Sequence, residues 1–532
     1  MIYPNNFEQR IGIDTIRHYI IEKCLSTLGT SCVQAMSFST DWSTIEQWLM
    51  ETEEFTRILN NKETFPIDFY LDMRDTLRQV EHDFTLWFSE EDTAGLMNSL
   101  QTLSDIVDFF QRAKVGAGRP KYPALLQAAD RIKTFPAVIE QANNILDKSF
   151  KIKDNASSTL AQIRRGKIEA TKAISRHMEA AMRQAKADGL ISKDMQPSVR
   201  FGIQLIPVNA THKRKIKGVV HDGSGSGKTV YIEPEAVAEA SNKLKELERT
   251  ERQEVIRILT VFTNLVRPAI QEMLDGYNFL GTIDFIRAKA AFCIRINAVK
   301  PVLVDTPQIR WSKAVHPLLH IALLQENKTA HPLDITLEQQ ARILLISGAN
   351  AGGKSLCLKT VALLQYMLQC GLLIPVEAGS EAGIFAHILM DIGDGQSMEN
   401  SLSTYTSHLS NMKVFLQECH NKTLILIDEF GGGTEPQIGG AIAETLLERF
   451  NERGCFGIIT THFQNLKHYA DRTAGVINGA MLYDVQQMKP CYQLAIGQPG
   501  SSYAVEVARN IGLPEDIIEA ASVKVTRSAE IV

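Results

Sequence analysis

The chain has 532 residues, 44% hydrophobic and 22% charged, with a formal net charge of −5. Those proportions exclude a mainly disordered chain, and no run approaches the roughly 20 apolar residues that a membrane-crossing helix needs. The start MIYPNNFEQR lacks the basic, apolar and small-residue succession of a signal peptide, so a cytoplasmic protein of roughly three or four domains, with no membrane partner, is expected.

The eight cysteines (Cys24, Cys32, Cys293, Cys357, Cys370, Cys419, Cys455 and Cys491) include no C-x-x-C pair, which favours buried free thiols over a zinc site or a disulfide framework. The small net charge hides an asymmetry. Residues 151–230 hold 16 Lys and Arg against 6 Asp and Glu, a balance of +10 that leaves −15 for the remainder.

In chain order, residues 1–145 read as a helical core domain, with apolar residues at three- and four-residue spacing in IGIDTIRHYIIEKCLSTLG and DWSTIEQWLMETEEFTRIL. The second of these opens on a candidate capping box, Ser43 with Glu46. VGAGRPKYP, residues 115–123, reads as a connection between helices. Residues 146–194 carry a long run almost free of Gly and Pro, expected as one extended lever helix from about 145 to 188, and residues 236–298 hold its returning partner. Between them, 195–235 switches to short alternating stretches (VRFGIQLIPV, KIKGVVHD, TVYIEP), a small β-rich tip. From 299 to 500 the buried-strand runs ARILLIS, AHILMDI, TLILIDEF and FGIITT alternate with helices, which predicts a mostly parallel sheet with flanking helices. Residues 501–532 read as a helix-turn-helix element. The expected class is therefore a multidomain chain, all-helical core and lever with a β-rich tip, followed by an α/β domain.

The strongest chemical signal is Gly348-Ala349-Asn350-Ala351-Gly352-Gly353-Lys354-Ser355, a full G-x-x-x-x-G-K-[ST] match between an apolar strand and a helix. Its glycines let backbone N–H groups close around phosphate at a helix N-terminus. Lys354 is placed to reach the β- and γ-phosphates and Ser355 to hold Mg²⁺, so ATP and Mg²⁺ are the expected cofactors. Further on, Leu424-Ile425-Leu426-Ile427-Asp428-Glu429 ends a buried strand in two acids. Adjacent carboxylates at such a place need an offsetting charge. Asp428 suits Mg²⁺, and Glu429 suits orienting or deprotonating the attacking water. Thr460-Thr461-His462 closes the next strand and can bring an imidazole to the γ-phosphate. Gly227-Lys228-Thr229 imitates the end of a second phosphate loop, but Asp222 stands where its first glycine is required, so a hairpin turn is expected there. Lys213, Arg214, Lys215, Lys217 and Lys228 give the tip a basic cluster suited to phosphate contact without sequence reading.

The combination of SGANAGGKS, DIGDGQSMENSLSTYTSHLSNM, LILIDEFGGGTEP and ITTHF resembles the MutS family of ATPases over nearly the whole chain. VHDGSGSGKTVYIEP resembles the tip segment of its type-two, anti-recombination branch, which lacks the mismatch-reading domains. The resemblance implies an ABC-type ATPase acting as a homodimer with composite sites. Gly348, Asn350, Ala351, Gly352, Gly353, Lys354, Ser355 and Leu356 would surround the nucleotide. Ser403 would contact the γ-phosphate held by the other subunit, Gly431–Thr434 would cross the dimer interface, and the terminal helices would support dimerisation. It also implies a clamp on duplex or branched DNA in repair and suppression of recombination, or alternatively a ribosome-splitting ATPase gripping rRNA. The sequence does not separate these two, because both targets present phosphate and shape. A scaffold that binds ATP without turnover fits poorly with the complete set Lys354, Ser355, Asp428, Glu429 and His462. Phe88-Ser89-Glu90 imitates the family's mismatch-reading F-x-E motif but falls in a helical segment, so base reading is not expected of it. Phe430, Tyr405 and Lys228 are minor departures from the family pattern. The branch's usual Smr nuclease domain has no counterpart before Val532, so no endonuclease activity is expected of this chain.

Overall fold

The computed structural model describes residues 1–67, 70–225, 227–348, 352–393, 404–484, 489–500, 508–509 and 511–521. Contacts divide the chain into two compact units, one of residues 1–65, 110–129 and 279–532 and one of residues 66–109 and 130–278.

The first unit is built on a sheet whose described strands run, edge to edge, Ile2–Tyr3, His387–Asp391, Thr423–Ile427, Phe456–Thr460, Ala341–Ser347, Gly475–Asp484 and Lys489–Ile496. All neighbours pair parallel except the last pair, which is antiparallel. The continuous apolar runs follow from burial on both faces. Leu344, Ile346, Leu424 and Leu426 join the core on one side, while Ile343, Leu345, Ile425 and Ile427 join the core on the other. Period-two alternation thus sorts one run of Leu and Ile between two layers.

The helical domain expected over 1–145 is divided between the two units. The sheet edge explains where the N-terminus goes: Ile2 and Tyr3 add a strand beside His387–Asp391, satisfying backbone groups that the edge leaves open. The helix Trp42–Asn60 is capped by Asp41, whose carboxylate accepts from the Thr44 N–H at 2.8 Å. The expected box of Ser43 and Glu46 is not formed; the Ser43 hydroxyl donates to Asp41, and Glu46 pairs with Lys300 at 2.7 Å. Residues 114–120 make a small antiparallel hairpin between helices.

In the second unit the first lever helix spans Ser158–Ala187, starting later than its Gly-poor sequence predicts. The cause is local: the Asp147 carboxylate accepts the N–H groups of Ser149 and Lys151, closing a turn, and Ser157 caps the helix through the Leu160 N–H. The returning helix Glu235–Val266 breaks into the 3-10 turn Arg267–Ala269 at Pro268, which lacks an N–H. Ser157 bonds Glu254 at 2.7 Å and Arg164 bonds Glu251 at 2.8 Å, so the two helices run antiparallel. Lys167 also pairs with Glu251, so part of the first lever's positive charge is neutralised by its partner.

The tip is a sheet of Ser198–Arg200, Ile203–Asn209, Thr229–Pro234 and Gly218–Gly223, every pairing antiparallel. Ile206, Val208 and Ile232 pack with Met178, Met182 and Val237 at the helix ends. Gly227 and Lys228 lie in the hairpin loop before Thr229, with Gly227 at φ +70°, so the false phosphate loop is a turn. Phe88 of the F-x-E look-alike is fully buried against Phe262, while Ser89 and Asp92 bond reciprocally at the start of the helix Glu90–Arg112.

Candidate functional site

Three parallel strands in the middle of the first unit's sheet end side by side at their carboxyl ends. Ala341–Ser347 leads to the phosphate-type loop, Phe456–Thr460 to His462, and Thr423–Ile427 to Asp428 and Glu429. Crevices at the carboxyl ends of such strands are where open α/β sheets bind ligands. Parallel pairing is what brings together residues more than 70 positions apart.

Gly348 and Gly353 have φ of +133° and +92°, and a Cβ on Gly348 would come within 3.1 Å of the Met481 carbonyl. The loop's glycines are therefore required by backbone conformation and close approach. Lys354 opens the helix Lys354–Gln369 and is 3% exposed. Its ammonium donates to the Gly348 carbonyl at 2.6 Å and lies 3.4 Å from His462 Nε2. Burial pulls the Lys354 pKa below the usual lysine range, and Asp428 and Glu429 push it back up. Burial, then the Lys354 charge, lowers the His462 pKa. Both effects favour the neutral imidazole beside the ammonium. Ser355 is exposed in the helix's first turn.

Asp428 is buried, and its Oδ1 accepts from the Thr460 hydroxyl at 2.5 Å. The same Thr460 oxygen accepts the Glu429 N–H at 2.8 Å, so one hydroxyl fixes both acids. Glu429 is exposed and sits at φ +51°, a left-handed conformation unusual for a long side chain. Gly431 and Gly433 are also left-handed, and Glu435 caps the following helix Pro436–Glu452 through Gln437 and Ile438. Asn350, Ala351 and Ser403 lie outside the described residues, as does most of the expected terminal helix-turn-helix.

Two groups were missed by sequence reasoning. A cavity of about 350 Å³ lies against the loop, lined by Gly353 and Leu356 together with His316, Leu323, His331 and Tyr492. His331 and Tyr492 stack with ring centroids 5.6 Å apart. The volume and the aromatic lining fit a purine ring system beside a phosphate-binding loop. These residues come from segments far apart in the chain, so no spacing could announce them. The second group surrounds Asp391, which accepts from His408 Nδ1 at 2.6 Å and Asn411 Nδ2 at 2.7 Å. The hydrogen bond to Asp391 raises the His408 pKa, and the Asp391 carbonyl accepts the Asp428 N–H. A second acid ending a buried strand was the available signal.

Residues 344–528 match the family model of MutS domain V. The chain is 34% identical over 513 residues to a Geobacillus protein named endonuclease MutS2, covering 96% of this chain and 64% of that protein. A putative endonuclease MutS2 of Bacillus subtilis is 34% identical over 512 residues, with 96% and 64% covered. A Listeria monocytogenes relative named endonuclease MutS2 is 34% identical over 526 residues, with 98% and 66% covered. The chain belongs to the MutS family. Within it, the likeness to MutS2 proteins runs through both units, whereas the domain V match lies within the first unit. The chain spans 64% of the length of the first of these MutS2 relatives.

The five basic tip residues are all exposed. Lys213, Arg214, Lys215 and Lys217 lie in the link between the 3-10 turn Ala210–His212 and the strand Gly218–Gly223. The Lys228 carbonyl accepts the Ala210 N–H at 2.9 Å, bringing the hairpin loop against the start of that link.

Proposed function

We propose that this MutS-family chain is an ATPase that works as a dimeric clamp on duplex or branched DNA. The observation that carries the reading is the convergence of Lys354, His462, Asp428 and Glu429 beside an aromatic-lined cavity. In this reading the purine lies in the cavity with His331 and Tyr492, and the loop from Gly348 to Leu356 holds the phosphates. Lys354 exchanges the Gly348 carbonyl for phosphate oxygens, giving up a hydrogen bond rather than solvent. Ser355 and Asp428 would hold Mg²⁺, with Thr460 keeping the Asp428 carboxylate oriented. When bound, the ion would supply charge neutralisation on the phosphates. Glu429 orients the attacking water and takes its proton, and neutral His462 positions the transferred group from the other side. The loop Gly431–Thr434, Ser403 and the C-terminal helices belong to the dimer contact in this reading. The exposed lysines of the tip supply phosphate contacts that position the DNA without reading its sequence.

The test is ATP turnover of the purified protein alone and with linear duplex, four-way DNA junctions or ribosomes. Stimulation by DNA supports the reading, and stimulation by ribosomes alone replaces it with the rRNA alternative. Glu429→Gln is expected to abolish turnover while retaining ATP binding. Normal hydrolysis by that variant refutes the assignment of Glu429 as the base.

A further inference from the structure

The hairpin joining Ser198–Arg200 to Ile203–Asn209 turns through two residues, Phe201 and Gly202, with φ of +51° and +75°. Positive φ at both central positions defines the type I′ turn, for which Asn-Gly is the favoured pair. Gly202 fits. Phe201 does not: a bulky side chain in the left-handed region is a backbone outlier that folding has no reason to choose. Packing offers no compensation, because Phe201 is 87% exposed, more than any other large apolar side chain among the described residues. Both local propensity and the hydrophobic effect therefore disfavour the residue in the free protein, which points to a role outside the fold.

The base of the turn is held firmly. Arg200 lies over the Tyr231 ring at 3.7 Å from its centroid, bonds the Tyr231 hydroxyl at 2.8 Å and pairs with Asp222 at 2.6 Å. An aromatic ring mounted on an anchored turn loses little freedom on binding. The charge of the small sheet that carries it selects the partner. Within 195–235 there are six Lys and Arg (Arg200, Lys213, Arg214, Lys215, Lys217, Lys228) and three acids (Asp222, Glu233, Glu235). Two of the acids are engaged internally, Asp222 by Arg200 and Glu233 by His221 at 2.7 Å. An exposed ring on a sheet whose unneutralised charge is positive suits a polyanion that also offers flat aromatic faces.

We infer that Phe201 is a wedge that stacks on a base at a branch point of DNA. The inference rests on the proposed DNA clamp and adds to it a contact with the base itself. Basic residues supply attraction that is indifferent to structure, whereas the ring rewards DNA with an open base face. In uninterrupted duplex a wedge must first unstack a step, which costs a few kcal/mol. At a branch the stack is already broken, so the ring favours junctions over linear duplex.

The experiment uses the full chain, a DNA junction carrying 2-aminopurine at the branch, and the matching RNA junction. Phe201→Asn restores the favoured turn pair, so its unfolding temperature is expected at or above that of the wild type. Its junction affinity is expected to fall on the order of five- to hundred-fold, the range for loss of one base–aromatic stack. The slope of affinity against salt is expected to stay the same, because no charge is removed. Phe201→Trp is expected to keep wild-type affinity and the wild-type change in 2-aminopurine emission. Equal junction affinity of wild type and Phe201→Asn overturns the wedge alone, as does an effect confined to the RNA junction. A wild type that binds no DNA overturns the clamp itself, and the wedge with it.

Discussion

Acid sensitivity of the first unit offers a test of the cavity beside the phosphate loop through a single histidine. His316 caps the helix Pro317–Gln325, with Nδ1 accepting the Leu319 N–H at 3.4 Å. It also lines the cavity. Its pKa is lowered from 6.5 to about 4, first by burial and then by the nearby Lys359 charge. The cap requires an unprotonated Nδ1, so capping and burial both favour the neutral ring. In the unfolded chain the histidine takes up its proton near pH 6.5, while in the folded protein it resists until about pH 4. Stability from this group is therefore intact above pH 6.5 and is lost progressively as pH falls towards 4. At about 1.4 kcal/mol per pKa unit, the full window is worth at most about 3.5 kcal/mol. His316→Asn keeps a side chain suited to helix capping but carries no titrating group. Unfolding midpoints measured from pH 7.5 to 4.5 are expected to converge or cross, the wild type losing more than the variant as pH falls. Other titrating groups cancel in that difference. A gap between the two proteins that is the same at every pH refutes the argument.

Two further outcomes follow from the site. Tyr492→Ala removes one of the two stacked rings and is expected to raise the KM for ATP on the order of ten-fold while changing turnover at saturation little. Steady-state kinetics over ATP concentration checks it, and an unchanged KM places the purine elsewhere. Thr460→Val leaves the Asp428 carboxylate and the Glu429 N–H without their shared partner. It is expected to cost about 2 kcal/mol or more and to depress turnover, whereas Thr460→Ser preserves both. Matched thermal unfolding and ATPase assays compare the pair, and equal behaviour of Val and Ser contradicts the role given to the hydroxyl.

The glycine spacing before Lys354, the strand ending in Asp428 and Glu429, the two long helices and the β-rich tip were legible in the sequence. Each is a local pattern: a glycine spacing imposed by backbone conformation, an apolar run with period two, or a helical run free of breakers. Termini of elements were read less well where side chains compete with the backbone. Asp41 took the cap from Ser43, and the turn around Asp147 delayed the first lever helix to Ser158. Only tertiary structure decided that Ile2 and Tyr3 complete the edge of the sheet that carries the site, because an open strand edge accepts whichever segment reaches it. Only tertiary structure gathered His316, His331 and Tyr492 into one cavity, or placed His408 on Asp391. Those contacts arise from the packing of helices, loops and strands that are distant in the chain, and packing partners leave no periodic mark on the residues they bring together. The exposure of Phe201 belongs to both levels: its identity was always in the sequence, but the left-handed turn that makes it anomalous is a property of the folded hairpin.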